Sequence, residues 1–320
     1  MRVASAALFL SLAALAGVPA VGAAQTAESL SATCQTAGGD GATCAAAAVA
    51  ARAVVAGVGS MAGPGSEIPG EGSTLGRRLG GMPRIAAWLR GGVQRFGVPA
   101  PGDPNGSTEA SSLTRQVEAG LGFGVFDGFR LLPTVGGFLS VDVMGHASFL
   151  FLSDASGFDG RVDVLSLGAR LGILQESFTL PGVSVSVARR FSGDVRLGDS
   201  GSGDAVELML DPSITSLRVT ASKDLFAFGV LAGLGWDDFS SDVSLLVSDG
   251  LAGIAASSGS LEGRRRLYFG SVTKQLGILA WLTLEGGWAD GFDPIAGYTG
   301  TGHDPGSRSL FGSVTVLLKL

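Results

Sequence analysis

Asp142 and His146 are the two residues of this sequence whose types and spacing suggest acid–base chemistry. They lie four positions apart in a run where apolar and polar residues alternate, so a β-strand would direct both to the same face. A carboxylate and an imidazole on one face are suited to general acid–base catalysis. No nucleophile motif accompanies them, and the only other histidine is His303. We keep the pair as the single catalytic hypothesis and favour a structural role for both residues.

Charged and titratable residues of both signs recur on the polar face of the strands that this alternation predicts. In a barrel of about eight to ten strands the interior is narrow and is mostly filled by side chains. We therefore expect these residues to pair across a lumen and to close it, with a narrow hydrated pore as the alternative. The set comprises Arg84, Arg90, Glu118, Asp142, His146, Arg170, Arg190, Glu207, Asp211, Arg218, Glu285 and Lys319.

Cys34 and Cys44 are the only cysteines of the chain. In an exported protein such a pair predicts a disulfide, with a contribution of roughly 2–4 kcal/mol. Two cysteines fall short of the usual set of zinc ligands. The aspartates of the predicted loops lack the D-x-D-x-D-G pattern of a calcium loop. We therefore predict neither a metal site nor a cofactor.

Ten segments with a period of two begin at residue 82, and this period is the signature of β-strands. The sixth of them, 204–222, changes parity near Pro212, because its apolar residues occupy even positions before the proline and odd positions after it. A β-bulge at the proline would explain the change and would place Glu207 and Asp211 in the lumen. The segments are 82–98, 113–126, 136–152, 160–174, 182–195, 204–222, 225–246, 261–274, 277–289 and 309–320.

The composition is unusually apolar. Hydrophobic residues make up 46% of the chain and charged residues 16%, and the mean hydropathy is +0.39; soluble domains carry about 25% charged residues. Beyond the N-terminus we identify no apolar stretch of about 20 residues, so we do not predict a helical membrane protein. A closed sheet is the other structure that lipid tolerates. The net charge of -6 argues against nucleic acid as a partner.

The last segment, Ser309 to Leu320, reads S-L-F-G-S-V-T-V-L-L-K-L and alternates an apolar set with a mostly polar one up to the final residue. It resembles the C-terminal closing strand of bacterial outer-membrane β-barrel proteins, although that family usually ends in Phe and this chain ends in Leu320. The resemblance implies an all-β fold, a single antiparallel up-and-down transmembrane barrel with its apolar face toward lipid. It also implies residence in the cell outer membrane, contact with outer-membrane lipid, and recognition of the last strand by the barrel assembly machinery.

The connections support this topology, because very short turns follow the sixth and eighth segments and longer loops follow the odd-numbered ones. Outer-membrane barrels have short periplasmic turns and longer extracellular loops. Ten strands place both ends of the barrel in the periplasm, and an extra strand at 52–61 with one more partner would give twelve. A soluble β-sandwich or solenoid shows the same alternation, but the signal peptide, the low charge and the terminal strand favour the membrane barrel.

Three regions follow from these patterns. Residues 1–24 are predicted to be a secretory signal peptide, with Arg2, an apolar stretch and a small-residue cleavage site. Residues 25–81 combine an Ala-rich helix at about 45–58 with a Gly- and Pro-rich stretch, and they form either a periplasmic lead-in, which we favour, or a plug inside the barrel. Residues 82–320 form the barrel.

Four functions are compatible with such a barrel. The leading hypothesis is a structural barrel or a narrow pore for small solutes. The others are a transporter of hydrophobic solutes with residues 25–81 as its plug, a lipid-modifying enzyme around Asp142 and His146, and an adhesion scaffold that presents the long loops. The sequence names no solute and assigns no oligomeric state.

Overall fold

The computed structural model of the chain describes residues 26–77, 82–100, 103, 107–130, 136–153, 157–158, 160–248 and 254–320. The predicted signal peptide lies outside these residues. Within them the elements are α1 (Ala27–Thr36), α2 (Gly41–Met61), β1 (Ile85–Pro99), β2 (Glu109–Phe126), β3 (Ser140–Phe151), β4 (Arg161–Leu174), β5 (Gly182–Ser192), β6 (Val195–Leu197), β7 (Val206–Leu225), β8 (Phe228–Ser248), β9 (Ile254–Gln275), β10 (Ala280–Ala289) and β11 (Ser309–Lys319).

Ten of these strands form a closed antiparallel barrel. Each pairs with its neighbours along the chain, β5 pairs with β7, and β11 closes the circle on β1 through ten partnered positions from Ala86 with Lys319 to Arg95 with Leu310. The short β6 adds only to the far end of β7. The prediction of a single up-and-down barrel of ten strands is therefore confirmed. The alternative of twelve strands is wrong, because residues 52–61 are helical.

The two faces of the barrel wall differ in polarity. On β11, Leu310, Val314 and Val316 point outward and are exposed, whereas Ser313 and Thr315 point inward and are buried. This is the reverse of a soluble barrel and is typical of a membrane barrel. We call the end with the turns β7–β8 and β9–β10 the short-turn end, and the opposite end the long-loop end.

We use the term upper wall for residues 206–215 of β7, 238–248 of β8 and 254–266 of β9. There the apolar side chains face the interior and the polar ones face outward. Inside the barrel, Val206, Leu208 and Leu210 are buried, while outside Glu207 is half-buried and Asp211 is exposed. β7 keeps one parity and pairs with β8 without a register shift from Val206 to Leu225. The predicted bulge at Pro212 is therefore wrong.

The same finding corrects the assignment of Glu207 and Asp211 to the lumen, since both lie on the outer face. The physical reason is that the upper wall stands in water, where the ordinary rule of apolar inside and polar outside applies. An exposed ion pair between Asp238 and Arg264 on its outer surface agrees with that environment.

A row of aromatic side chains, the aromatic boundary, separates the apolar part of the outer face from the polar upper wall. The rings of Tyr268 and Trp288 stack with their centroids 5.4 Å apart, and Trp236 lies beside Arg266 across the β8–β9 pair. Below this level the outer side chains are apolar, and above it they are mostly polar. Tyr and Trp are enriched at the level of lipid head groups, so this row marks the membrane interface at the long-loop side.

α2 fills the interior at the long-loop end. Inward side chains of β1, β7 and β8 pack on it in one buried cluster that includes Phe96, Ile214 and Phe239. Alanine and glycine dominate the helix, and a Cβ at Gly57 would meet the Phe96 ring at 2.9 Å. Such small side chains allow a helix to enter a ten-stranded barrel.

Gly41–Met61 is also a 21-residue helix that contains an 18-residue window with mean hydropathy 1.6, and by length and composition it could cross a membrane. This corrects the expectation that no such stretch follows the N-terminus. Its most apolar 18-residue window is 78% buried inside the barrel, so protein takes the place of lipid around it. A helix is present at the predicted position 45–58, and it extends beyond the predicted bounds at both ends.

α1 packs against α2 and β9, and the predicted disulfide between Cys34 and Cys44 is confirmed. Asp40 caps the N-terminus of α2 with its carboxylate. Hydrogen bonds from the backbone N–H groups of Thr43 and Ala42 hold the pKa of Asp40 below its usual range. The helical pair is thus tied together at the long-loop end of the barrel.

Candidate functional site: a plugged lumen

Residues 62–76, the threading segment, continue from the end of α2 down the lumen to the short-turn end. Ala62 lies beside His146 at mid-lumen, Ser66 beside Glu285, and Leu75 beside Asp142 near the short turns. We use the word plug for α1, α2 and the threading segment together. The structure thus places the plug inside the barrel, and the favoured expectation of a periplasmic lead-in is corrected.

An irregular backbone inside a membrane barrel needs partners for its carbonyl oxygens and N–H groups. Basic side chains of the wall supply donors to the carbonyls. Arg90 donates to the carbonyl oxygens of Pro64 and Ser66, at 3.2 and 2.6 Å. Similar bonds join Arg170 to Glu71 at 2.9 Å, Arg218 to Gly65 at 3.2 Å and His146 to Ala62 at 3.1 Å.

Acidic side chains of the wall supply the matching acceptors. The carboxylate of Asp142 accepts from the N–H of Leu75 at 2.9 Å. Glu285 accepts from the N–H of Ser66 at 3.2 Å and from its hydroxyl at 2.6 Å. Hydrogen bonds to a charged group contribute about 1.5–3 kcal/mol each when buried. The charged side chains of the wall therefore supply hydrogen-bond partners to the backbone of the threading segment, as neighbouring strands do for one another in a sheet.

The densest charge cluster links the plug to β5, β7 and β8. Asp237 forms an ion pair with Arg218 at 2.7 Å and lies 3.6 Å from Arg190, and Arg190 also pairs with Glu67 of the threading segment. All four side chains are at most 4% exposed. Such charges persist in a low-dielectric interior only when each has an opposite partner.

Further ion pairs run along the lumen. Arg90 pairs with Glu118 at 3.4 Å, and Arg170 pairs with Asp142 at 2.8 Å. At the short-turn end, Lys319 pairs with Glu71 of the threading segment and lies over the ring of Trp281. Glu71 precedes the first strand by 14 positions, so strand alternation does not identify it as the partner of Lys319.

Asp142 and His146 have structural partners rather than each other. Asp142 contacts Arg170 and Leu75, and His146 contacts the carbonyl of Ala62 and the edge of the Trp88 ring. Both residues are buried beneath the plug. These contacts account for their place in the sequence as wall residues that hold the threading segment.

Arg84 is the last member of the predicted charge set. Arg84 is exposed at the short-turn end and donates to the carbonyl of Leu75. Asp237, Glu67 and Arg265 were missed. Asp237 shares a Trp-Asp-Asp-Phe run with Asp238, so the composition of the run does not reveal which aspartate faces inward, and Glu67 lies in a segment without periodicity.

The described part of the chain has a cavity at each end of the plug. A cavity of about 800 Å³ opens at the short-turn end and is bounded by Gly70, Thr74 and Leu75 of the threading segment. A second, of about 290 Å³, lies at the long-loop end between α2, β1 and the loop that joins β10 to β11. The plug separates the two.

Glycines let the threading segment pass between the wall side chains. Gly65 has a φ of +74°, and a Cβ there would overlap the carboxylate of Glu285. Gly38, in the α1–α2 turn, has a φ of +101° and open space around it. A substitution at either glycine would therefore strain the backbone, but only at Gly65 would the new side chain collide with another group.

Gly65→Ala should accordingly cost about 3–4 kcal/mol of unfolding free energy, from backbone strain and loss of the Glu285 hydrogen bonds. Gly38→Ala should cost about 1–2 kcal/mol from strain alone. Urea unfolding in lipid vesicles, followed by tryptophan fluorescence, measures both. Equal costs would show that Gly65 is not in contact with Glu285.

No family model and no curated protein matches the sequence. Among solved structures, the translocator domain of autotransporter NalP from Neisseria meningitidis is 14% identical with a TM-score of 0.44, covering 74% of this chain and 88% of its own. The transport unit of autotransporter AIDA-I from Escherichia coli is 9% identical with a TM-score of 0.40, covering 84% and 98%. The β domain of the Bordetella autotransporter BrkA is 10% identical with a TM-score of 0.34, covering 73% and 98%.

These TM-scores lie below 0.5, and the assignment rests on the barrel itself. Ten strands close without a free edge, which is one of only two ways for a backbone to cross lipid. The outer face is apolar up to an aromatic boundary, and the inner face is polar at the same levels. By this architecture the chain is a closed antiparallel β-barrel whose two faces are those of a membrane-spanning barrel.

Proposed function

We propose that this protein is a sealed outer-membrane scaffold that carries its own N-terminal segment through the barrel and presents it at the cell surface. The observation that carries the proposal is the path of the plug. It runs from the short-turn end at Gly76 to the long-loop end at α1, with wall contacts at each level.

The orientation follows from the connections. Short turns of outer-membrane barrels face the periplasm and longer loops face the outside. The disulfide-linked helices α1 and α2 then begin on the extracellular side, enclosed by the upper wall, whose outer surface is polar. The surface presented to the outside consists of α1, the α1–α2 turn, the upper wall and the long loops.

Sealing is supported by what occupies the lumen. α2 fills the apolar upper part, and the threading segment fills the polar lower part with its charges paired. The 800 Å³ cavity gives water access from the short-turn end only as far as the threading segment. A closed scaffold is therefore favoured over a permanently open pore or an open path for hydrophobic solutes.

A gated pore is the second candidate, and one observation favours it. The wall behind the threading segment is polar along its length, so displacement of the plug would leave a hydrated channel. The two candidates differ in whether the plug leaves the lumen during function.

An epitope inserted after Gly38 tests the proposed scaffold. We expect antibody to bind this epitope on intact cells, because the α1–α2 turn is exposed at the long-loop end. The matched control is the same epitope after Phe226, in the β7–β8 turn, which should bind antibody only after the outer membrane is permeabilised. Heat-modifiable gel mobility verifies that both variants fold. Binding at Phe226 but not at Gly38 on intact cells would refute the proposal.

A further inference from the structure

The 290 Å³ cavity at the long-loop end is rich in arginine. Its lining includes Arg52 of α2, Arg95 of β1, Arg265 of β9 and Arg308, which precedes β11, against a single carboxylate, that of Glu109. Glu109 already pairs with His303 at 3.2 Å. Arg308 also lies 3.8 Å from the carboxylate of Asp290, which is not part of the lining. The lining itself therefore carries an excess of positive charge.

Two of these arginines, Arg52 and Arg265, hydrogen-bond to neutral oxygens and not to carboxylates. Arg52 donates to the main-chain carbonyl of Asp293 at 2.6 Å. Arg265, which is only 7% exposed, donates to the carbonyl of Asp290 at 2.7 Å and to the hydroxyl of Ser309. Among the residues that the structure describes, no carboxylate oxygen lies within 4 Å of either guanidinium. Acidic residues act on the two charges only at longer range, Glu28 and Asp293 on Arg52 and Asp237 and Asp290 on Arg265. Burial of a charge such as that of Arg265 is costly, and a bound anion would offset part of that cost.

The two guanidinium groups converge on one ring. The carbon at the centre of the Arg52 guanidinium lies 4.8 Å from the centroid of Phe292, and that of Arg265 lies 5.6 Å from the same centroid. Arginine presents a planar set of donors that matches the oxygens of phosphate. The geometry therefore places two fixed phosphate donors at the inner side of the cavity.

The outer side of the cavity reaches the lipid boundary. Leu310, at its rim, is 66% exposed on the lipid face. Strand register sets Leu310 beside Arg95 on one side and Trp288 on the other, and Trp288 beside Tyr268. The cavity thus opens at the aromatic row that marks the level of lipid head groups.

We propose that this cavity binds the phosphate-bearing head group of an amphiphile of the outer leaflet. The head group would take donors from Arg52 and Arg265 within the cavity and from Arg95 and Arg308 at its mouth. The acyl chain would leave along Leu310. The apolar side chains of Val49 and Phe96 complete a cavity that suits the junction between a head group and its chain.

Isothermal titration of the full chain in nonionic detergent tests the site. The probes are dihexanoyl phosphatidic acid below its critical micelle concentration, dihexanoyl phosphatidylcholine and inorganic phosphate. We expect phosphatidic acid to bind at least about 10-fold more tightly than either of the others. Equal binding of the two lipids would overturn the proposal, and phosphate binding as tight as phosphatidic acid would overturn the lipid assignment.

Two double variants provide the matched comparison. Arg95→Gln with Arg308→Gln removes two exposed arginines at the mouth, and we expect it to weaken phosphatidic acid binding at least about 10-fold. Arg115→Gln with Arg266→Gln removes two exposed arginines elsewhere on the outer face and should leave binding unchanged. Equal losses in the two variants would indicate attraction by surface charge alone and would refute a defined site.

Discussion

Asp237→Ala should lower the free energy of unfolding by about 3–5 kcal/mol, the range for removing one partner of a buried ion pair. Asp237 is the wall carboxylate between Arg218, at 2.7 Å, and Arg190, at 3.6 Å. Among the residues that the structure describes, its removal would leave Arg218 without an ion pair and would leave Glu67 of the plug as the one ion-pair partner of Arg190. The loss should therefore loosen the plug as well as the wall.

Asp238→Ala is the control, because Asp238 is the next residue on β8 and differs mainly in facing outward. Its ion pair with Arg264 is exposed, with half of the Asp238 side chain accessible. We expect a cost of about 0–1 kcal/mol. Urea unfolding in vesicles measures both variants. A smaller cost for Asp237→Ala than for Asp238→Ala would contradict the assignment of β8 faces and of the buried cluster.

Deletion of residues 26–76 should convert a silent barrel into a conducting one. In planar bilayers the full chain should show no channel events, whereas the deletion variant should show discrete steps, because the polar inner face would then be hydrated. The deletion removes the carboxylates of Glu67 and Glu71, while their partners Arg190 and Lys319 remain on the wall. We therefore expect the open channel to prefer anions.

Deletion of residues 26–36 with Cys44→Ser is the control for this experiment. It removes α1 and the disulfide but leaves α2 and the threading segment in the lumen. This variant should stay silent. Heat-modifiable mobility on gels must show that each variant has folded. Equal conductance of the full chain and of the folded 26–76 deletion would contradict the sealed lumen.

The barrel could be predicted from the sequence because lipid imposes a strict rule on its strands. At membrane level, Leu310, Val314 and Val316 must alternate with residues such as Ser313 and Thr315, and this period survives in any single sequence. The upper wall could not be predicted in the same way. Alternation around Val206 to Leu210 is just as clear, but it does not reveal which face meets water.

The plug was harder to place for a different reason. The threading segment has no periodicity, because its backbone bonds go to charged side chains that lie far away in the sequence. Ser66 meets Glu285 across 219 positions, and Glu67 meets Arg190 across 123. The lumen charges indicated a closed interior, but they did not indicate that residues 62–76 would supply partners for them.

Disulfide formation between Thr74→Cys and Ser140→Cys tests most directly whether the threading segment lies inside the barrel. The two native hydroxyl oxygens are 2.5 Å apart, and both residues are buried. Cysteines at such neighbouring positions can meet the short Cβ separation that a disulfide requires. The experiment uses a Cys34→Ser, Cys44→Ser background and a protease site inserted at residues 78–81, so that the plug can be cut from the barrel.

The control replaces Ser140→Cys by Val143→Cys, which lies on the same strand but faces lipid. After cleavage in native membranes, the plug fragment should remain attached to the barrel on denaturing gels in the Thr74–Ser140 variant, and it should separate only when reductant is added. In the Val143 control it should separate without reductant. Separation without reductant in both variants would contradict a barrel that holds its own N-terminal segment in the lumen.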